Sequence, residues 1–322
     1  MRKTVFAVAA LAATILSSQP AAGQALPPQV QALYPQQTGE VVFADLRGLR
    51  ASKHYAQIKA QVLPERFRQL EQFGMILGID FEREVHQLSW GFVGQPDGGV
   101  SFVGVAEGSF PPGEIEGKAR AAKLPLSRFQ GAPMVVMGVN AQGKSFVFAF
   151  PDRTTAVFGY RETVEEMLTR RTQGGASLTD NAALRDVLAD VNGKAPLWVA
   201  LDNPYTVLAV KQMLPEAAKL PGFDTLTGRL RSASVRFDLR DGLRGTAAVR
   251  CESSADSLLL STILQGALTY QGYQLGDKNP ELARAVKEVT LNRQEERLNV
   301  GFAIRDADLV TLLQKNTLTL NF

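Results

Sequence analysis

The stretch "PLWVALDNPYTV" at residues 196–207 decides how the chain is divided. "LWVAL" has the composition of a strand, Asp202-Asn203 ends it, and Pro204 suits a first helical turn, where its missing N–H costs nothing. A carboxylate just past a strand is also where open-sheet enzymes gather ligand-binding groups, so Asp202 is a catalytic candidate as well as a cap. The same plan occurs earlier. "EVVFADLRGLRAS" at 40–52 is an apolar strand closed by Asp45 and followed by a helix start. Beside it, residues 196–207 read as the first strand of a second copy.

The order of elements on either side agrees. After the first strand come a mostly helical stretch from Leu49 to Phe73, with Pro64 opening a second helix, and a hairpin of "VHQLSWGFVG" and "VSFVGVAEG" joined through Gln95–Gly99. Residues 114–123 are helical, "PMVVMGV", "SFVFAF" and "TAVFGY" are strands, and a helix covers Glu162–Arg171. Thr179-Asp180-Asn181 caps a further helix through Val191. After Asn192-Gly193 the series restarts: strand, helix from Tyr205 to Lys219, and a hairpin of "ASVRFDLR" and "LRGTAAVRCE" around Asp241-Gly242. An apolar helix of about four turns from Asp256 to Tyr270 follows, too short to span a bilayer. Two strands (288–293 and 297–304) and a last helix from Asp306 close the chain. Landmarks recur at a shift of 144 residues, Gly78 onto Gly222, Asp97-Gly98 onto Asp241-Gly242, Phe158 onto Phe302 and Leu168 onto Leu312.

The expected fold is α+β: two related halves, 40–193 and 194–322, each a mostly antiparallel sheet with helices packed on one face. "SVRFDLR" alternates, with Val235, Phe237 and Leu239 inward and Arg236, Asp238 and Arg240 toward water. In "SFVFAF", by contrast, Phe146, Phe148 and Phe150 share one face while Val147 and Ala149 line the other. A strand apolar on both faces expects cover on both. The three phenylalanines are therefore the candidate apolar-ligand residues.

Residues 1–25 have a basic start, an uncharged apolar run and small residues near Ala25, the layout of a secretory signal peptide. Its apolar run is shorter than a membrane span, so no transmembrane anchor is expected after cleavage near Leu26. Residues 26–39, rich in Pro and Gln, read as a tether. Losing Arg2 and Lys3 brings 35 basic residues to 33 against 32 acidic ones. That balance excludes the concentrated positive charge that nucleic-acid binding needs. Cys251 is the only cysteine, so no internal disulfide forms, and its alternation with Val249 and Ala247 marks a buried thiol.

The segments "ALYPQQTGEVVFADLRGLRAS" and "GGASLTDNAALRDVLADV" resemble a pattern in uncharacterised secreted bacterial proteins, which open with Leu-Pro, a strand, Asp-Leu and a Leu-Arg-Ser helix start. The matching parts cover about a tenth of the chain. The resemblance implies export and a repeated α+β fold, and brings no catalytic residues with it.

Chemistry is sparse. The two histidines, His54 and His86, lack metal-ligand spacing, and no metal or cofactor is expected. No nucleophile elbow, phosphate loop or dinucleotide fingerprint occurs. Asp45 and Asp202 are the carboxylate candidates, each also placed to accept backbone N–H groups of a following helix. The expected function is that of an exported, periplasmic or secreted, non-catalytic protein binding an envelope protein or an apolar small molecule. Two alternatives stand beside it: an extracytoplasmic hydrolase using Asp45 or Asp202 with His54 or His86, and a purely structural scaffold.

Overall fold

The computed structural model describes residues 24–62, 65–95, 98–276 and 279–315. Most of the expected signal segment, Pro64, Pro96 and Asp97 lie outside the described residues. Twelve strands form one antiparallel sheet: β1 (Thr38–Asp45), β2 (Val85–Gly94), β3 (Val100–Gly108), β4 (Leu126–Phe129), β5 (Ala132–Val139), β6 (Ser145–Ala149), β7 (Thr155–Tyr160), β8 (Leu197–Leu201), β9 (Leu230–Asp238), β10 (Leu243–Cys251), β11 (Thr290–Gln294) and β12 (Arg297–Ile304). Their order is β11-β12-β10-β9-β8-β1-β2-β3-β7-β6-β5-β4.

The two strands that looked alike in sequence meet at the centre. β1 and β8 pair antiparallel, with Phe43 opposite Trp198 and Ala44 opposite Leu197. Outward from that pair the strands run β1-β2-β3-β7-β6 on one side and β8-β9-β10-β12-β11 on the other. A shared detail accompanies the shared order. Gly104 of β3 faces Phe158 of β7, and Gly245 of β10 faces Phe302 of β12. In both pairs the phenyl ring lies where a glycine Cβ would be, with the Phe158 Cζ 2.1 Å and the Phe302 Cζ 1.9 Å from those positions. Each ring thus covers a strand glycine that has no side chain of its own to pack.

The faces explain the helices. On the front face, Leu88, Phe102, Val135, Phe148 and Phe158 pack beneath Phe67, Leu70, Ile115 and Ala119 of helices Glu65–Ile76 and Pro112–Ala121. This layer continues into the second half, where Phe237, Leu243 and Ile304 meet Leu309, Leu312 and Leu313 of helix Asp306–Gln314. Leu46 and Trp90 touch both clusters and join them. Side chains from 46–62 also reach the second half directly: Ser52 Oγ donates to the Leu239 carbonyl at 2.7 Å and Gln61 Nε2 to the Leu313 carbonyl at 2.5 Å.

The back face is covered only in part. β7 is separated from β8 by three strands, so the chain must cross the sheet to start the second series. Helices Arg161–Gln173 and Ala182–Val191 make that crossing on the back face. Leu184, Val187, Leu188 and Val191, an i, i+3, i+4, i+7 stripe, bury against Phe43, Trp198 and Ala200. After β12 no such return is needed, and the back of β9–β12 carries the polar residues whose alternation was legible in the sequence. Helices on one face therefore describe β10–β12, whereas β8, β9 and the first half have them on both.

Other expectations are corrected. Residues 26–39 are no tether: Leu26, Val30, Leu33 and Tyr34 are buried in the back-face core, and Tyr34 Oη donates to Ser89 Oγ at 2.8 Å. Four apolar side chains at that spacing gain about 1.5–3 kcal/mol each on burial, which outweighs the extended bias of Pro and Gln. Leu168 and Leu312 occupy opposite faces, so that pair is not equivalent. The apolar helix runs from Ser254 to Leu275, 22 residues, beyond the expected end at Tyr270. Unread elements include β4, the short helices Pro28–Gln31, Phe81–Glu84 and Phe223–Gly228, and helix Pro280–Lys287, the last capped by Asn279, whose side chain accepts from the Leu282 N–H.

Candidate functional site

Both candidate aspartates are helix caps. Asp45 Oδ1 accepts from the Gly48 N–H at 3.2 Å and Asp202 Oδ1 from the Tyr205 N–H at 3.3 Å. The histidines do not join them. His54 is buried with Nε2 2.7 Å from Asp306 Oδ1, a carboxylate that also accepts from Lys53 Nζ at 2.7 Å. His86, on β2, makes no side-chain hydrogen bond or ion pair among the described residues, and burial with nearby Arg47 and Arg50 disfavours its charged form. The expected pairing of Asp45 or Asp202 with His54 or His86 is therefore not assembled. Ser52, the serine two residues before His54, is engaged on a carbonyl. Among the described residues no three His, Cys, Asp or Glu side chains gather as a metal site.

The candidate ligand strand is core. Phe148 and Phe150 are 3% and 1% exposed, packed on Phe158 and Phe110, while Phe146 is half-buried between Phe102 and Tyr160. On the other side Val147 and Ala149 lie in the cluster that holds Val164 and Met167. Both faces are occupied by the protein's own side chains, which removes Phe146, Phe148 and Phe150 as an apolar-ligand site. Cys251 is buried as expected, and burial pushes its thiol up to about 11.

A carboxyl pair that the sequence reading only half identified lies at the β1–β8 seam. Glu40, the third residue of β1, has its Cα opposite Leu201, and the Asp202 N–H donates to the Gly39 carbonyl at 2.9 Å. A Cβ on Gly39 would meet Tyr205 Cε2 at 2.5 Å and Asp202 Oδ2 at 2.6 Å, so the glycine is what lets the ring and carboxyl approach. Tyr205 stacks on Phe92 at 6.1 Å and 17°. Burial, then the Asp202 charge, pushes Glu40 up to about 7. Burial also raises Asp202, against the Tyr205 N–H that favours its anion. The Tyr205 phenol is pushed to about 12 by burial and both carboxyls. The pair can hold or release a proton near neutrality. The available signal was a lone Glu at the head of an apolar strand.

A second surface is apolar. From Ser257 to Gly276 the chain carries no charged side chain, yet only Asp256, Ser257 and Leu260 of helix Ser254–Leu275 are buried. Leu258, Leu259, Tyr270 and Tyr273 are exposed, Tyr273 at 85%. The C-terminal half of this helix borders a groove of about 810 Å³, lined by Leu268, Gly272, Tyr273, Val286, Lys287 and Val289 among others. No helix among the described residues is long and apolar enough to cross a membrane.

No family model and no curated protein matches the chain. Among solved structures it is similar to TP0453, a bacterial protein in its crystal form I, at 11% identity and a TM-score of 0.48, over 90% of this chain and 98% of that one.

Proposed function

We propose that this chain is an exported, non-catalytic protein that binds a partner protein through helix Ser254–Leu275. One observation carries the reading: from Ser257 to Gly276 the helix carries no charge, and although Leu260, Ile263 and Leu264 pack on the protein's own core, Leu258, Leu259, Tyr270 and Tyr273 stand exposed. Helices of that composition are ordinarily enclosed, and an exposed apolar surface of this kind marks an interaction site. The groove beside Tyr273 gives a partner side chain somewhere to insert. Export rests on the composition of residues 1–25, with the mature chain starting near Leu26, whose N–H donates to Asn192 Oδ1 at 2.7 Å. The common outward strand order and the two glycine–phenylalanine pairs support a duplication.

The test is photo-crosslinking in the cell envelope, with the crosslinker at Leu259 or Tyr273 and a control at the exposed Lys123. A partner band from the helix positions and not from Lys123 is expected. Equal labelling from all three positions, or none, rejects the reading. The Glu40–Asp202 pair supports a second reading, a hydrolase in which these two carboxyls move the proton. An activity found by substrate screening and unaffected by Glu40→Gln would eliminate it.

A further inference from the structure

Helix Ala182–Val191 covers part of the back of β9, where Ser232 and Ser234 are buried, and beyond that helix the back of the sheet is an open basin with small side chains on it. Ser234, Thr246, Ala248 and Gly301 occupy neighbouring back-face positions on three strands. Around them stand Arg236 on β9, Arg250 on β10, and Arg297 with Asn299 on β12. Helix Ala182–Val191 borders the basin and contributes Asp186 and Asp190.

The charges do not balance. Asp190 Oδ2 accepts from Arg297 at 2.7 Å and from Arg250 at 3.4 Å, and Asp186 accepts from Arg250 at 3.3 Å. Arg236 is left with no ion pair or side-chain hydrogen bond among the described residues, although it is half-buried between Trp198 and Thr246. Its charge is disfavoured by burial and by nearby Arg297, an effect that Asp190 offsets only in part. Arg240, by contrast, is held by Asp238 at 2.6 Å, so a cation on this half can find a carboxylate where one is placed for it. Ser232 and Ser234 line a narrow cleft with Asp190, Ala248 and Arg250, and their hydroxyls have no partner among the described residues. A half-buried guanidinium left unpaired is costly unless something supplies the opposite charge.

We propose that this basin binds an oxyanion, a phosphate or carboxylate group, with Arg236 and Arg297 as its cationic ligands and Thr246 and Asn299 as neutral donors. The planar guanidinium fork suits two-oxygen recognition of such groups. Asp190 holds one end of the Arg297 guanidinium, Asn299 Oδ1 accepts from the Arg297 Nε–H at 2.9 Å, and Asn299 Nδ2 donates to the Asn292 carbonyl at 3.5 Å, which leaves one amide N–H of Asn299 for the anion. The site is independent of the partner surface proposed above, which lies on the front-face side of the sheet.

Thermal unfolding of the mature chain at constant ionic strength tests this, with sodium phosphate and sodium acetate each exchanged against sodium chloride. Phosphate or acetate is expected to raise the wild-type Tm by about 2–4 °C once it exceeds its Kd about tenfold. In Arg236→Gln that anion-specific rise is lost, while the Tm in chloride equals or exceeds that of the wild type, because an unpaired cation has been removed. Arg236→Lys, which keeps the charge without the fork, retains less than half of the rise. A rise with phosphate alone assigns a phosphate group, and an equal rise with acetate assigns a carboxylate. No anion-specific rise in the wild type, or an undiminished rise in Arg236→Gln, overturns the proposal. Should Arg236→Gln fail to fold, Asn299→Ala takes its place, and an undiminished rise there has the same consequence.

Discussion

His54 Nε2 and Asp306 Oδ1, 252 residues apart in sequence, lie 2.7 Å from each other at the join between the first helical segment and the last helix. Asp306 sits in the first turn of its helix, and its carboxyl is held below the usual range by Lys53 and His54. This contact, with Ser52 on the Leu239 carbonyl, ties residues 46–62 to the second half of the chain. His54→Ala is expected to cost about 1–2 kcal/mol, discounted for the part-exposed aspartate. A double-mutant cycle with Asp306→Ala in urea measures the coupling. Strict additivity would show that the contact does not couple the halves.

The Glu40–Asp202 pair makes stability fall as pH rises. Glu40 is raised in the folded state to about 7, so its contribution is fully present below its unfolded value near 4.5 and is lost as pH rises through about 7. Glu40→Gln is expected to remove that slope and to stabilise the protein at pH 8 by about 1–3 kcal/mol. Urea midpoints at pH 5 and pH 8 give the answer, and a wild type equally stable at both would contradict it.

Gly104 and Gly245 should tolerate nothing larger while their rings stay in place. Gly245→Ala puts a methyl group within 1.9 Å of Phe302 Cζ and is expected to cost about 1–3 kcal/mol. Pairing it with Phe302→Leu should recover part of that loss. Gly104→Ala with Phe158→Leu repeats the experiment in the first half.

Phe148→Ala distinguishes core from binding site. With Phe148 3% exposed, a loss of about 3–5 kcal/mol in chemical denaturation is expected. Unfolding unchanged by the substitution would return the strand to candidacy as a ligand site.

On the apolar helix the expectation is reversed. Leu259→Lys and Tyr273→Ser remove exposed side chains, so stability should stay within about 0.5 kcal/mol of the wild type. Loss of the partner crosslink without loss of stability would separate the two roles of this helix.

Period and punctuation were local, and so they were legible. The Asp-closed strands at 38–45 and 197–201, the Asp241-Gly242 hairpin and the alternating Val235, Phe237 and Leu239 depend on neighbours one or two residues away, and sequence alone determined them. The double-sided strand "SFVFAF" also announced that both its faces would be covered. What covered them was a tertiary matter. The chain had to cross the back of the sheet from β7 to β8, and only that path decided that helix 161–173 would cover Val147 and Ala149 and helix 182–191 would cover Phe43 and Trp198. The same path left the back of β10–β12 without a helix, and Arg236 without an ion pair among the described residues. Proximity across hundreds of residues has no local signature, so His54 with Asp306, and Glu40 with Asp202, came from the fold.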